Sequence, residues 1–304
     1  MANSLAAYKT KFTNKLDEVV LHDTRTADLN MNQDLLGEMT GAGEIKIAKI
    51  AVDGLADHVR GKGFVRGAVS TDWETMKLTH DRDREFSIDS LDDEERDALV
   101  SATVMNVFTR EKVVPEVDAI RFAKLAANAG NTAKKTISSA SDAFDAVLVA
   151  EEAIQDLGGN IENCLFYCTA AFRNLLRKSQ NYDLKQGENP NGKFQTFDDM
   201  KIVQVPKNRF YTAIDLLDGV TKTTGENAVD ETKGGYKKAA DAKDINFIVI
   251  DPRAAAAIIK HRKLRYFAPD TNQGDDAHLW QYRVFHDLLV YENKKGLIYA
   301  HTTA

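Results

Sequence analysis

The stretch DRDREFSIDSLDDEERDALVSATVMNVFTREKVVPEVDAIRFAKLAA, residues 81–127, decides how the rest of the chain is arranged. It opens on an extended run, Arg84-Glu85-Phe86-Ser87-Ile88-Asp89, meets four acids, Asp92, Asp93, Glu94 and Glu95, and continues with helical character to Lys112. Ser90 has the position of an N-cap, Asp93 follows three residues on, and the four acids complement the positive end of a helix dipole. Arg110 and Lys112 complement the other end. Leu91, Ala98, Ala102 and Met105 fall on one face, and Val100, Val104, Val107 and Phe108 widen the stripe, so the helix is apolar around much of its girth. Pro115 lacks an amide hydrogen and biases Val114 away from the helical region, which predicts a break or kink. Pro115-Glu116-Val117-Asp118 then starts a second helix through Ile120, Phe122 and Leu125. Strand, long helix, kink and helix form the expected spine.

Immediately upstream, Glu44-Ile45-Lys46-Ile47 and Trp73-Glu74-Thr75-Met76-Lys77-Leu78-Thr79 alternate polar and apolar residues around a basic middle, His58, Arg60, Lys62 and Arg66, that holds Gly54, Gly61, Gly63 and Gly67. This predicts a long hairpin with a flexible tip or cross-bulges. Two strands alone are marginal in water, so the hairpin needs support, from its own fold or from another copy of the chain. Further upstream, Leu5, Tyr8, Phe12, Leu16 and Val19 make a narrow apolar stripe on a polar helix, and residues 22–32 show little periodicity. The first forty residues therefore read as an arm bearing a helix, or as a helix docked on its own domain.

Downstream, residues 127–140 are small and polar, a connection. Residues 142–157 predict a helix with Phe144, Val147, Leu148, Ala150 and Ile154 inward, ended by Gly158-Gly159. Cys164 to Cys168 is a buried strand, after which Thr169 caps a helix through Phe172, Leu175 and Leu176. Met200 to Val205 is a strand ended by Pro206, and Ile245 to Ile250 is another. Asp251 and Pro252 then predict an alanine-rich helix to Lys260. Residues 220–244 have no apolar period and predict a long loop. Residues 282–291 and 297–301 predict a terminal hairpin. Alternating strands and helices make this part an α/β or α+β layer with its own core.

The 304 residues, 43% hydrophobic and 28% charged, describe an ordinary globular chain of one large or two smaller domains. No apolar run approaches the roughly 18 residues of a membrane span, and the N-terminus lacks the plan of a signal peptide, so no membrane association is expected. Cys164 and Cys168 make neither a disulfide framework nor a zinc site. A net charge of −6 argues against a protein whose main work is gripping nucleic acid, though not against one that lies beside it. The seven histidines build no motif with a mechanism, and no nucleophile elbow, phosphate-binding loop or dinucleotide fingerprint occurs, so no catalytic residue, cofactor or metal is expected. His80-Asp81-Arg82-Asp83 offers ligands to a divalent ion, as in a metal-assisted hydrolase, but Arg82 and Arg84 compete for those carboxylates and favour a salt-bridge network. Lys260 to Arg265, the densest basic run, either complements the end of the preceding helix or meets phosphate.

Taken together, the residues resemble the HK97-fold major capsid proteins of tailed bacteriophages, particularly those of phages of Gram-positive bacteria. The resemblance rests on Gly54-Leu55-Ala56-Asp57 with Arg60, Gly63-Phe64, Asp81-Arg82 with Phe86-Ser87-Ile88-Asp89, and Val114-Pro115-Glu116-Val117-Asp118-Ala119 with Arg121-Phe122. Residues 267–273, Phe-Ala-Pro-Asp-Thr-Asn-Gln, and Tyr282-Arg283 with His286-Asp287 extend it, so that it covers most of the chain from Gly43 on. It implies an α+β fold with an N-terminal arm (1–42), an extended β-hairpin loop (43–80), a peripheral domain with the long spine helix (81–127), an axial domain (128–281) and a C-terminal hairpin returning to the body (282–304). It implies self-assembly through pentamers and hexamers into an icosahedral shell around double-stranded DNA, in the virion, after assembly in the host bacterial cytoplasm. A separate scaffolding protein, a portal and a decoration protein are the implied partners, and DNA is contacted weakly. Expected contact residues between subunits are Leu5, Tyr8, Phe12 and Leu16 on the arm, Lys46, Lys49, His58, Arg60, Lys62, Arg66 and Trp73 on the hairpin, and Asp92, Asp93, Glu94 and Glu95 at the spine start. Lys62 lies in the loop where some relatives carry a crosslinking lysine, but no partner is identifiable and no crosslink is expected. The runner-up is the shell of an encapsulin-like nanocompartment.

Overall fold

The computed structural model describes residues 24–30, 44–58, 60, 64–89, 99–179, 184–189, 192–223 and 228–304. The arm helix with Leu5, Tyr8, Phe12 and Leu16, the Ser90 cap, the acids Asp92, Asp93, Glu94 and Glu95, and Lys62 lie outside these residues. Elements are numbered in chain order.

The main core is built on a seven-stranded mixed sheet in the order β4 (Asn131–Lys134), β14 (Ile298–Thr302), β11 (Ile245–Ile250), β5 (Leu165–Thr169), β8 (Met200–Val205), β7 (Gly192–Phe197) and β6 (Leu184–Asn189). The central strands β5 and β11 read as continuous apolar runs because both faces of the sheet are covered. Leu165, Tyr167, Ile248 and Ile250 pack with Phe122 and Leu125 of the spine. Phe166, Cys168, Phe247 and Val249 pack on the opposite face under α3 (Ala140–Gln155) and α4 (Ala170–Lys178). Ser139 caps α3 by accepting from the Asp142 N–H at 3.0 Å, and Thr169 caps α4 by accepting from Phe172 at 3.2 Å. Val147, Ala150 and Ile154 point inward as expected, whereas Leu148 is on the outer side and exposed. Both cysteines are buried, and burial pushes each thiol up to about 12, which makes them inert packing groups.

A carboxyl group is also buried here. Glu151 of α3 lies near Asp198, which with Asp199 forms the two-residue turn between β7 and β8, both residues at positive φ. Burial first, and the Asp198 charge second, push Glu151 up to about 8. The folded chain thus holds a proton that the unfolded chain releases near 4.5, so this group's contribution to stability falls as pH rises from about 4.5 to about 8. Glu151→Gln keeps the shape without titrating. It is expected to raise the denaturation midpoint at pH 8.5 by an amount equal to about 1 kcal/mol, less than the full shift implies because Asp198 faces solvent, with the gain vanishing near pH 5.

The second layer is an antiparallel sheet in the order β12 (Ala255–Phe267), β13 (Ala277–Val290) and β3 (His80–Asp89). β3 alternates: His80, Arg82, Arg84, Phe86 and Ile88 are half-buried and the residues between them exposed. Against the inner face lies the spine, α1 (Leu99–Phe108), whose Phe108 meets Phe86 and Tyr282 edge-on at 4.9 and 5.7 Å. The expected break at Pro115 does not occur. A π-helical turn, Thr109–Val113, joins α1 to α2 (Val114–Asn128), and Val113 and Val114 keep helical dihedrals. The Val114 N–H donates to Thr109 five residues back, so the wider turn absorbs the proline and the missing donor leaves the rod continuous.

Three further expectations are corrected. Residues 255–260 form the start of β12, not a helix: Ala255 to Ile258 are buried and pair with Val290 to Asp287, and this pairing overrides the helix preference of alanine. Asp251 does cap a turn, accepting from the Arg253 N–H at 2.9 Å, but that turn is a single 3-10 turn, and Lys260 to Arg265 therefore lie inside a strand. Residues 282–291 and 297–301 do not pair with each other. β13 stays with β12 and β3, while a 3-10 turn, Glu292–Leu297, carries the chain into the seven-stranded sheet, where β14 runs between β11 and β4. Gly130 makes that passage possible, since a Cβ there would stand 2.7 Å from the backbone of Lys295 and Gly296. β12 and β13 thus share one sheet with β3, β13 being the strand that pairs with it, and residue 281 lies inside β13. The long loop is partly ordered too: β9 (Ile214–Leu216) pairs with β10 (Tyr236–Lys238), and Arg82 and Arg84 donate to the carbonyls of Gly235 and Thr232.

Candidate assembly surfaces

The hairpin that precedes β3 stands apart from both sheets. β1 (Glu44–Val52) and β2 (Val69–Lys77) pair antiparallel in one unbroken register from Glu44↔Lys77 to Val52↔Val69, a two-stranded sheet of its own. Nine residues at a strand's rise extend about 30 Å. The expected bulges are absent from the strands, and all four glycines fall in the connection. Asp53 closes the base of this tip: its N–H donates to Ala68 at 3.2 Å and its carboxylate accepts from the Ala68 N–H at 2.6 Å. Beyond it the chain exposes apolar groups, Leu55 and Phe64 almost fully, with Val52, Val65 and Val69 more than half exposed. His58 lies beside Phe64 at 5.6 Å, and Arg60 and Arg66 are exposed on the same tip. Lys46, Lys49 and Trp73 sit in the strands, opposite Thr75, Asp72 and Ala48.

Where the hairpin returns, it is locked to the body. Met76 and Leu78 are buried with Ile258 and Leu289. Asp287, wholly buried on β13, accepts from the Thr79 N–H at 3.0 Å, the Thr79 hydroxyl at 2.8 Å and the Leu288 N–H at 2.7 Å, and pairs with the Lys124 ammonium of α2. Burial pushes its carboxyl up, but Lys124 and Thr79 outweigh burial and hold it below its ordinary value. Neighbouring His286 is pushed down to about 3, by burial first and by Arg121 next, so it is a neutral core residue. One buried ion pair thus ties hairpin, spine and β13 together.

A second anchor holds part of the expected arm region to the body. In residues 24–30, Thr24, Thr26 and Leu29 are buried, Leu29 lies in the core with Phe122 and Ile248, and Asn30 forms a parallel bridge to Ala257. The fully buried Asp118 of α2 accepts from the Arg25 N–H at 3.0 Å, the Thr26 N–H at 3.3 Å and the Thr26 hydroxyl at 2.9 Å, and pairs with Arg209 at 3.1 Å. Arg121, equally buried, donates to the Thr26 hydroxyl at 2.8 Å, and burial pushes it down to about 10. Neither Asp118 nor Arg121 was expected to carry such a role. The available signal is their spacing, since both fall on the face of α2 that buries Phe122 and Leu125, where an isolated charge is untenable.

In the His80-Asp81-Arg82-Asp83 run the acids and arginines reach outward rather than to each other. Asp81 accepts from Arg283 Nε at 2.9 Å, and Arg82 pairs with Glu116 at 2.7 Å. Among the described residues no three His, Cys, Asp or Glu side chains gather as metal ligands. No helix among them is long and apolar enough to cross a membrane.

No family model matches the sequence, and no curated protein matches it. Solved structures do. The chain superposes on the structure of Gordonia phage Cozz with a TM-score of 0.56 at 13% identity, covering 94% of this chain and 86% of that one. For the capsid of cyanophage P-SCSP1u the TM-score is 0.54 at 12% identity, covering 88% and 85%. A virus-like particle from Pyrococcus furiosus gives 0.50 at 10% identity, covering 95% and 98%. The chain has the α+β, HK97-like fold of phage capsid structures.

Proposed function

We propose that this chain is a major capsid protein, a non-enzymatic subunit that assembles through pentamers and hexamers into the icosahedral head enclosing phage double-stranded DNA. The observation that supports it most is the projecting hairpin: about 30 Å of two-stranded ribbon with an apolar tip in solvent is unfavourable for a lone chain and suits a clasp on a neighbour. Identical chains joined head to tail by such an element close into rings. The net charge of −6 fits a shell that lets DNA pass and touches it weakly. A separate scaffolding protein, a portal and a decoration protein complete the assembly, which forms in the host cytoplasm and ends in the virion.

Electron microscopy of the expressed chain, with its scaffold supplied, is expected to show closed shells. A stable monomer at high concentration under those conditions would overturn the proposal. A second reading, a shell of nanocompartment type, draws on the likeness to the Pyrococcus particle, which spans nearly all of both chains. Purified particles holding a protein cargo and no DNA would favour it.

A further inference from the structure

The outward face of the three-stranded sheet has an ordered charge pattern. Its register aligns three rows across β12, β13 and β3: His261, Phe285 and Asp81; Lys263, Arg283 and Asp83; Arg265, Gln281 and Glu85. All three β12 residues and all three β3 residues of these rows are exposed. One edge strand of the sheet therefore presents a basic column and the other an acidic column, two strand spacings or about 10 Å apart.

The two columns are not equally served within one chain. The middle strand partners the acids: Arg283 Nε donates to Asp81 at 2.9 Å and Gln281 to Glu85 at 2.7 Å. The basic column instead has a cation beside it, Lys263 standing opposite Arg283 and Arg265 opposite neutral Gln281. Like charges opposite each other across strands are unfavourable, and among the described residues no carboxylate pairs with Lys263 or Arg265. A surface with both signs in matching rows is complementary to itself, whereas a polyanion would be repelled by one half of it.

Resting on the shell reading, we infer that this face is a contact between copies in which Lys263 and Arg265 on β12 of one chain meet Asp83 and Glu85 on β3 of another. The partner is a second copy of this chain because it alone is bound to supply both columns at the same row spacing. The contact is distinct from the hairpin tip and uses the body of the subunit.

Charge reversal on the full chain tests it. Lys263→Glu with Arg265→Glu, and separately Asp83→Lys with Glu85→Lys, are each expected to raise the protein concentration at half-assembly at least about tenfold, read by light scattering and electron microscopy. The four substitutions together restore opposite charges across the contact and are expected to return it to within about threefold of the starting protein. Circular dichroism and thermal melts report whether each variant is folded. Wild-type assembly by both double variants, or a folded fourfold variant that fails to recover, overturns the inference and leaves the shell reading standing. Failure of the unaltered chain to assemble overturns both.

Discussion

Asp118→Ala is expected to cost about 3–5 kcal/mol of unfolding free energy, because it removes the carboxylate that pairs with Arg209 and the nearest compensating charge of the buried Arg121, leaving buried positive charge undercompensated. The same substitution deprives the Arg25 and Thr26 amides of their acceptor, so residues 24–30 lose their seat at the moment the spine loses its charge balance. Chemical denaturation measures the first effect. Hydrogen exchange at the amides of residues 25 and 26 measures the second and is expected to rise well beyond the change seen in β5 or β11. A loss under about 1 kcal/mol, with those amides still protected, would show that the network is not an anchor.

Removal of residues 56–65 is expected to abolish shells while sparing the subunit. The deleted residues lie beyond Asp53 and Ala68, whose mutual hydrogen bonds close the ribbon, and beyond every pair of the β1–β2 register. None of the described residues among them belongs to the cores of the two sheets, so the denaturation midpoint is expected to stay within a few degrees of the parent protein. Leu55→Ser with Phe64→Ser is a milder form, removing the two most exposed large apolar side chains among the described residues, and is expected to weaken assembly in the same direction. Normal particles from the deletion would show that the hairpin clasps nothing.

How much of this was legible in the sequence depends on where the decisive forces act. Ile245 to Ile250 and Cys164 to Cys168 were readable as strands because burial on both faces writes itself as an unbroken apolar run, and Ser139 aside, the caps at Thr169 and Asp251 are local chemistry. The hairpin was readable from alternation and glycines. Ala255 to Ile258 was misread because its strand character comes from β13, a partner some thirty residues away in sequence that supplies the pairing alanine does not demand. The terminal residues misled for a related reason: β13 and β14 both alternate or run apolar, but which sheet receives each is set by the turn at residues 292–297 and by the close approach at Gly130. At the candidate site, the exposed tip was found and the two buried anchors were not. Asp118 and Asp287 look like ordinary helix and strand acids until their partners, Thr26 and Thr79, arrive from 92 and 208 positions away.

The π-helical turn at residues 109–113 has one more consequence. It adds a residue to the rod, and one residue is roughly 100° of rotation about the helix axis. Met105 and Phe108 before the turn and Val114 and Val117 just after it pack against the three-stranded sheet, and further along Phe122 and Leu125 pack against the seven-stranded one. The turn therefore lies within the stretch that faces the three-stranded sheet, and the apolar stripe continues across it. A single shaft then serves as a beam common to two sheets, carried past a proline by one surplus residue.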